Sequence, residues 1–150
     1  MADLLKFSVP GKPEYVGVVR LAVSSAANTA GFDIEDIEDI KVAVSEVCTH
    51  IFCDNDSVVT YEVSCELGDG GMVISIDDME EKEKHEDIRA LDDWPCFYGN
   101  EMGIGSLARP FVNDFFDMST SILMLRALMD EVDIFSSRNE NMLIRMIKHL

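Results

Sequence analysis

Positive charge is scarce in this chain: 12 lysines and arginines stand against 29 aspartates and glutamates, for a formal net charge of −17. Such a surface repels phosphate, which excludes nucleic acid as a partner and is compatible with a basic protein partner. Long apolar runs are also missing. The longest, such as Ile122 to Leu125, fall far short of the roughly 20 residues that cross a bilayer. The start, MADLLKFSVP, lacks the basic head and apolar stretch of a secretion signal. Together these point to a cytoplasmic protein with no membrane association. Four cysteines (Cys48, Cys53, Cys65, Cys96) show no Cys-x-x-Cys spacing, so reduced thiols are expected.

What the chain does have is apolar content, 47% of 150 residues and spread throughout. That is one domain, able to bury roughly 70% of its unfolded surface. Its organising stretch is Asp33 to Cys53, DIEDIEDIKVAVSEVCTHIFC, which reads as one long amphipathic helix. Ile34, Ile37, Ile40, Val44, Val47 and Ile51 recur at steps of three and four and form one apolar face. Asp33 suits the N-cap, Glu35 and Asp36 suit the first turn, and Phe32 with Ile37 suits a hydrophobic staple. On the polar face, Glu46 and His50 are neighbours at four residues' spacing.

The other elements follow in order. Leu4 to Val9 reads as a strand ending at Pro10, and Glu14 to Ala30 as a helix opened by Pro13 and stopped by Gly31. Ser57 to Leu67 and Met72 to Asp77 read as a hairpin around Gly68 to Gly71. The polar run from Asp77 to Arg89 reads as a solvated segment, and Leu91 to Asp117 as a long connection, a length more often functional than decorative. Ser119 to Met129 reads as a third helix capped by Ser119 or Thr120. Val132 to Ser136 and Met142 to Lys148 close the chain as strands. The order β-α-α-β-β-loop-α-β-β describes an α+β two-layer sandwich with its helices on one face of the sheet.

Two blocks, PEYVGVVRLAVSSAANTAGFDIEDIEDIKVAVSEVCTH and LMDEVDIFSSRNENMLIRMIKHL, resemble the bacterial anti-sigma factor serine kinases of the RsbW and SpoIIAB type. These belong to the histidine-kinase-like (GHKL) ATPase superfamily. The resemblance covers almost the whole chain and thins between Met79 and Met118. It implies a mixed, mainly antiparallel sheet with helices on one face. It also implies binding of a sigma factor, Mg-ATP-dependent phosphorylation of a serine on an anti-anti-sigma partner, and dimerisation through the sheet. The implied setting is transcriptional control in stress response or sporulation.

The family's nucleotide motifs are altered here. In its E-x-x-x-N motif the Glu, a general base, corresponds to Glu46. The magnesium-binding Asn is replaced by His50, and magnesium requires hard oxygen donors. Asp77 stands at the adenine-binding Asp of D-x-G-x-G, but Met79 replaces the first glycine where backbone must approach the ligand. The G-x-G at a helix start, whose amides hold phosphate, reads Ser119 and Ser121; Gly103 and Gly105 form a displaced G-x-G or a turn. These departures favour a scaffold without ATP or magnesium, the alternative being an active serine kinase with Glu46 as base.

The family binds its sigma factor through the helical layer. Glu14, Glu35, Glu38 and Asp39 are therefore expected to bind a basic partner, or else to form a solvated face. His50 with Glu46 and Cys53 would make a transition-metal site only with a further ligand from elsewhere, for which His85 is the candidate. Met118, Met124 and Met129 read as core filling or an adaptable surface, and Trp94, Phe97 and Tyr98 as a docking patch or as filling for the vacated cleft.

Overall fold

The computed structural model describes residues 2–79, 89–90, 112–137 and 141–150, with the backbone alone at 89–90 and 112–119. Strand β1 (Asp3–Pro10) leads through a 3-10 turn (Pro13–Tyr15) into helix α1 (Val16–Ala30). Gly31 ends α1 in the left-handed region at φ 98°, which is open to a residue without Cβ. Helix α2 (Ile34–Val47) starts three residues later, so the two helices form an antiparallel hairpin. Its cap is the expected one: the Asp36 amide donates to Asp33 Oδ1 at 2.9 Å. Phe32 is buried and Ile37 packs on the core beside it.

The helix does not continue unchanged to Cys53. After Val47 the backbone widens into a π-helical turn, Cys48–Cys53. Such turns are rare and carry i→i+5 hydrogen bonds. Hydrophobic spacing cannot reveal one, because steps of three and four keep Ile51 on the inner side in either geometry.

Strands β2 (Thr60–Gly68) and β3 (Gly71–Asp77) pair through a two-residue connection, Asp69 and Gly70. Gly71, at φ 148°, leaves no room for a Cβ against the Lys148 carbonyl of the neighbouring strand. A two-residue strand β4 (Arg89–Ala90) pairs with β5 (Glu131–Ser136). Helix α3 (Val112–Leu128) precedes β5, and β6 (Met142–His149) ends the chain. The sheet order is β1-β2-β3-β6-β5-β4. All described pairings are antiparallel, so the sheet is antiparallel rather than mixed, and β4 is an addition to the expected order.

Alternation along the strands sends one side chain in two toward the helices. Tyr61, Val63 and Cys65 of β2, Met72, Ile74 and Ile76 of β3, Ile144 and Met146 of β6, and Val132 and Ile134 of β5 are buried. Ile40, Ala43, Val44 and Val47 of α2 are fully buried against that layer, with Val19 and Val23 of α1 and Ile122 and Leu125 of α3. Met129 is core filling, as are Met72 and Met146. Ile34 departs from the expected face and is 80% exposed. At 100° per residue it lies about 120° from the centre of the buried residues of α2, too far round to reach the sheet.

Lys148 ties the layers together. Its ammonium donates to the Leu128 carbonyl at 2.7 Å and lies 3.5 Å from Asp36 and 3.4 Å from Asp39. Replacing Val44 with Asp would put an unpaired carboxylate in the centre of this core. The expected cost is more than about 4 kcal/mol, enough to unfold the domain. Circular dichroism and urea denaturation check this; a cooperatively folded Val44→Asp protein would show the buried face of α2 to be misassigned.

Candidate functional site

The site forms where the end of α2, the π-turn and the middle of α3 meet. Glu46 occupies the last turn of α2, with its side chain 17% exposed. Facing it from α3 is Ser121, 2% exposed. The Ser121 hydroxyl donates to Glu46 Oε1 at 2.8 Å, an ordinary O–H···O length.

His50, carried by the π-turn, lies between two carboxylates. Its Nε2 is 3.7 Å from Glu46 Oε2 and its Nδ1 is 3.4 Å from Asp54 Oδ2. The carboxylates address opposite nitrogens of one ring, so they do not converge on a point where a cation would sit. Among the described residues no three His, Cys, Asp or Glu side chains are grouped to hold a metal. His85 lies outside the described residues.

The helix carrying Ser121 differs from the expected one. α3 begins at Val112, so Ser119 and Thr120 are not caps but lie well inside it, as does Ser121. Amides in a helix interior donate to carbonyls four residues back and are not free to hold phosphate, unlike those of the first turn. Serine and threonine favour caps but also sit inside helices, which is why the local signal misleads here.

The segment after β3 is equally filled. Asp77 is 5% exposed, and its Oδ1 accepts the Met79 amide at 3.1 Å. Met79 is itself buried. Asp78 is pinned to the start of β6: its amide donates to the Met142 carbonyl at 3.2 Å, and its Oδ1 accepts the Met142 amide at 2.8 Å. The chain therefore leaves β3 along β6, with the Met79 side chain turned inward.

Inside the π-turn, Phe52 stacks on Tyr61 with ring centroids 5.3 Å apart. The buried Tyr61 hydroxyl lies beside the thiols of Cys48 and Cys53. Burial pushes the Cys48 thiol up from 9.0 to about 12, against a smaller lowering by the Tyr61 hydroxyl. Burial also raises Cys53, and it raises Cys65 to about 11. The three are free thiols, Cys48 and Cys65 buried and Cys53 partly exposed.

Of the acidic residues expected to meet a partner, Glu14, Glu35 and Glu38 are exposed, Glu38 with Lys41 at 3.0 Å. Asp39 is only partly available, because it faces Lys148. The Trp94, Phe97 and Tyr98 patch and the Gly103 and Gly105 pair lie outside the described residues, as do the side chains of Met118 and Ser119.

The Glu46–Ser121 bond joins two helices and should couple energetically. Ser121→Ala is expected to cost about 1–2 kcal/mol, since it leaves a largely buried carboxylate short of a donor. A double-mutant cycle with Glu46→Ala, followed by urea denaturation, should give a coupling of about 0.5–2 kcal/mol. A coupling indistinguishable from zero would contradict the bond.

A family model of the histidine kinase-like ATPase domain matches residues 9–148. The chain is 54% identical over 59 residues to a serine-protein kinase RsbW of Oceanobacillus iheyensis, a match covering 37% of each protein. It is 46% identical over 72 residues to an RsbW of Bacillus licheniformis, covering 45% of this chain and 43% of the relative. These strong matches thus span less than half of the relatives' own length. Over 152 aligned residues, 99% of this chain and 86% of the relative, identity to the RsbW of Bacillus thuringiensis is 27%. No helix among the described residues is long and apolar enough to cross a membrane. The matched span runs from the end of β1 to the last residues of β6, taking in the three described helices and most of the sheet, and on that ground the chain belongs to the histidine kinase-like ATPase domain family.

Proposed function

We propose that this chain is a single-domain anti-sigma regulatory factor that acts by binding, on a scaffold whose nucleotide site has closed. Its partners would be a sigma factor and an anti-anti-sigma protein, and its effect the control of bacterial transcription in the cytoplasm. The observation that carries this reading is the Ser121 hydroxyl, held on Glu46 from the interior of α3. A kinase of this family needs Glu46 open to the hydroxyl of an incoming serine, and needs a free helix start near Ser119 and Ser121 for phosphate. Here the carboxylate already has a serine, and the helix start is displaced. Met79 and the imidazole of His50 add to the same reading, since neither supplies a glycine's space or a hard oxygen ligand.

A second reading is favoured by the same hydrogen bond. Glu46 is retained and accepts a serine hydroxyl, which is what a general base for phosphoryl transfer to serine must do. On that reading the chain is a serine kinase, ATP and magnesium enter after Ser121 is displaced, and Asp77 would take the adenine amine.

Thermal denaturation with and without Mg-ATP separates the two. Binding at a hundredfold excess over the dissociation constant would add about 2.7 kcal/mol, or roughly 5–10 °C in Tm for a domain of this size. The closed-site reading predicts no shift at millimolar Mg-ATP. It also predicts that binding appears when His50→Asn, Met79→Gly, Ser119→Gly and Ser121→Gly are combined. A saturable shift in the unaltered protein, requiring both ATP and magnesium, would overturn it in favour of the kinase.

A further inference from the structure

The π-turn at the end of α2 gathers two thiols and a buried hydroxyl that the nucleotide site does not use. In an α-helix, residues five apart such as Cys48 and Cys53 would lie about 140° apart around the axis. The wider turn links residue i to i+5 instead, so Cys53 stands over Cys48 on one side of the helix. From β2, Tyr61 meets both of them. Its ring stacks on Phe52 at 5.3 Å, and its hydroxyl faces the two thiols. Tyr61 is 2% exposed, and its hydroxyl has no hydrogen-bond partner among the described residues.

A buried O–H without an acceptor is rare and calls for a reason. A neutral thiol accepts weakly, whereas a charged acceptor makes a shorter and stronger bond. The hydroxyl pulls both thiols down in pKa, against the larger raising by burial. It is therefore placed to be satisfied once the sulfurs carry charge, and a cation bound to them would make that charge stable. The donor set chooses the cation. The two sulfurs have no third His, Cys, Asp or Glu grouped with them among the described residues. That is too few ligands for tetrahedral zinc, and sulfur is the wrong donor for magnesium or calcium. Thiolates select soft Cu(I), a closed-shell ion that two sulfurs suffice to hold. Cys48, Phe52 and Tyr61 belong to the buried core, which keeps water from the ion, while the partly exposed Cys53 gives it a way in.

We propose that the π-turn binds one soft monovalent cation of the Cu(I) class between Cys48 and Cys53, with the Tyr61 hydroxyl donating to the thiolate pair. Binding forms two metal–sulfur bonds and releases both thiol protons to solvent. No electron is transferred, and one negative charge remains on the site. The ion bridges residues five apart across the π-turn, and so holds in place the turn that carries His50. This site does not use Glu46 or Ser121 and is independent of whether nucleotide binds.

The probe is Cu(I) itself, delivered without oxygen to the reduced full chain from its complex with the colorimetric chelator bicinchoninate. The chain is expected to take one equivalent from the chelator, and its Tm to rise as it does. X-ray absorption should show two sulfur neighbours. Tyr61→Phe keeps the ring stack and should weaken binding about tenfold, the scale of a partner that orients a ligand. Cys53→Ser removes a ligand and should weaken it by more than about a hundredfold. Cys65→Ala combined with Cys96→Ser should leave it unchanged. Amide chemical shifts of the unaltered protein give a reading that does not depend on how the variants fold: changes on adding Cu(I) should be confined to residues 47–54 and 60–62. Uptake undiminished in Cys53→Ser or in Tyr61→Phe would overturn the proposal. So would its loss in the Cys65 and Cys96 variant, shift changes centred elsewhere, or an ion shared between two chains in a copper-dependent dimer.

Discussion

The hydrogen bond from Ser121 to Glu46 ties the last turn of α2 to the interior of α3. The Glu46 side chain is 17% exposed, and its carboxylate faces a partner on each oxygen. With Ser121 in place, one oxygen is engaged at 2.8 Å and the other faces His50. The Ser121 donor is part of the fold, so it loses little entropy by staying on that oxygen.

The rest of the region is equally tied down. Met79 lies buried, and its amide is turned back onto Asp77. Asp78 holds the strand end against β6. Lys148 draws Asp36, Asp39 and the end of α3 together from the far side of α2. These contacts fix α2 and the end of α3 relative to the sheet.

The sequence made most of the architecture legible, because period, caps and turn residues agreed in each element. Asp33 at the N-cap, Gly31 at the end of α1, and the alternation of Tyr61, Val63 and Cys65 each had one reading. What escaped has physical reasons. Ile34 satisfies a pattern of threes and fours and still lies too far round the helix to be covered. Ser119 and Thr120 are chemically good caps, and nothing local says that the helix began seven residues earlier. The π-turn leaves no trace in hydrophobic spacing. A two-residue strand is below the length at which alternation exists. The contact that closes the site joins residues 75 apart, so Glu46 and Ser121 could be named separately but not brought together.

Ser121 lies inside a helix and is hydrogen-bonded to Glu46, which places the amides of 119–121 in the helical ladder. Amide hydrogen exchange at residues 119–121 addresses it directly. Interior helical amides open only by local unfolding, whereas first-turn amides exchange freely unless a ligand covers them. Strong protection at 119–121 that is the same with and without Mg-ATP is the predicted result. Rapid exchange at those amides, slowed when Mg-ATP is added, would contradict the account.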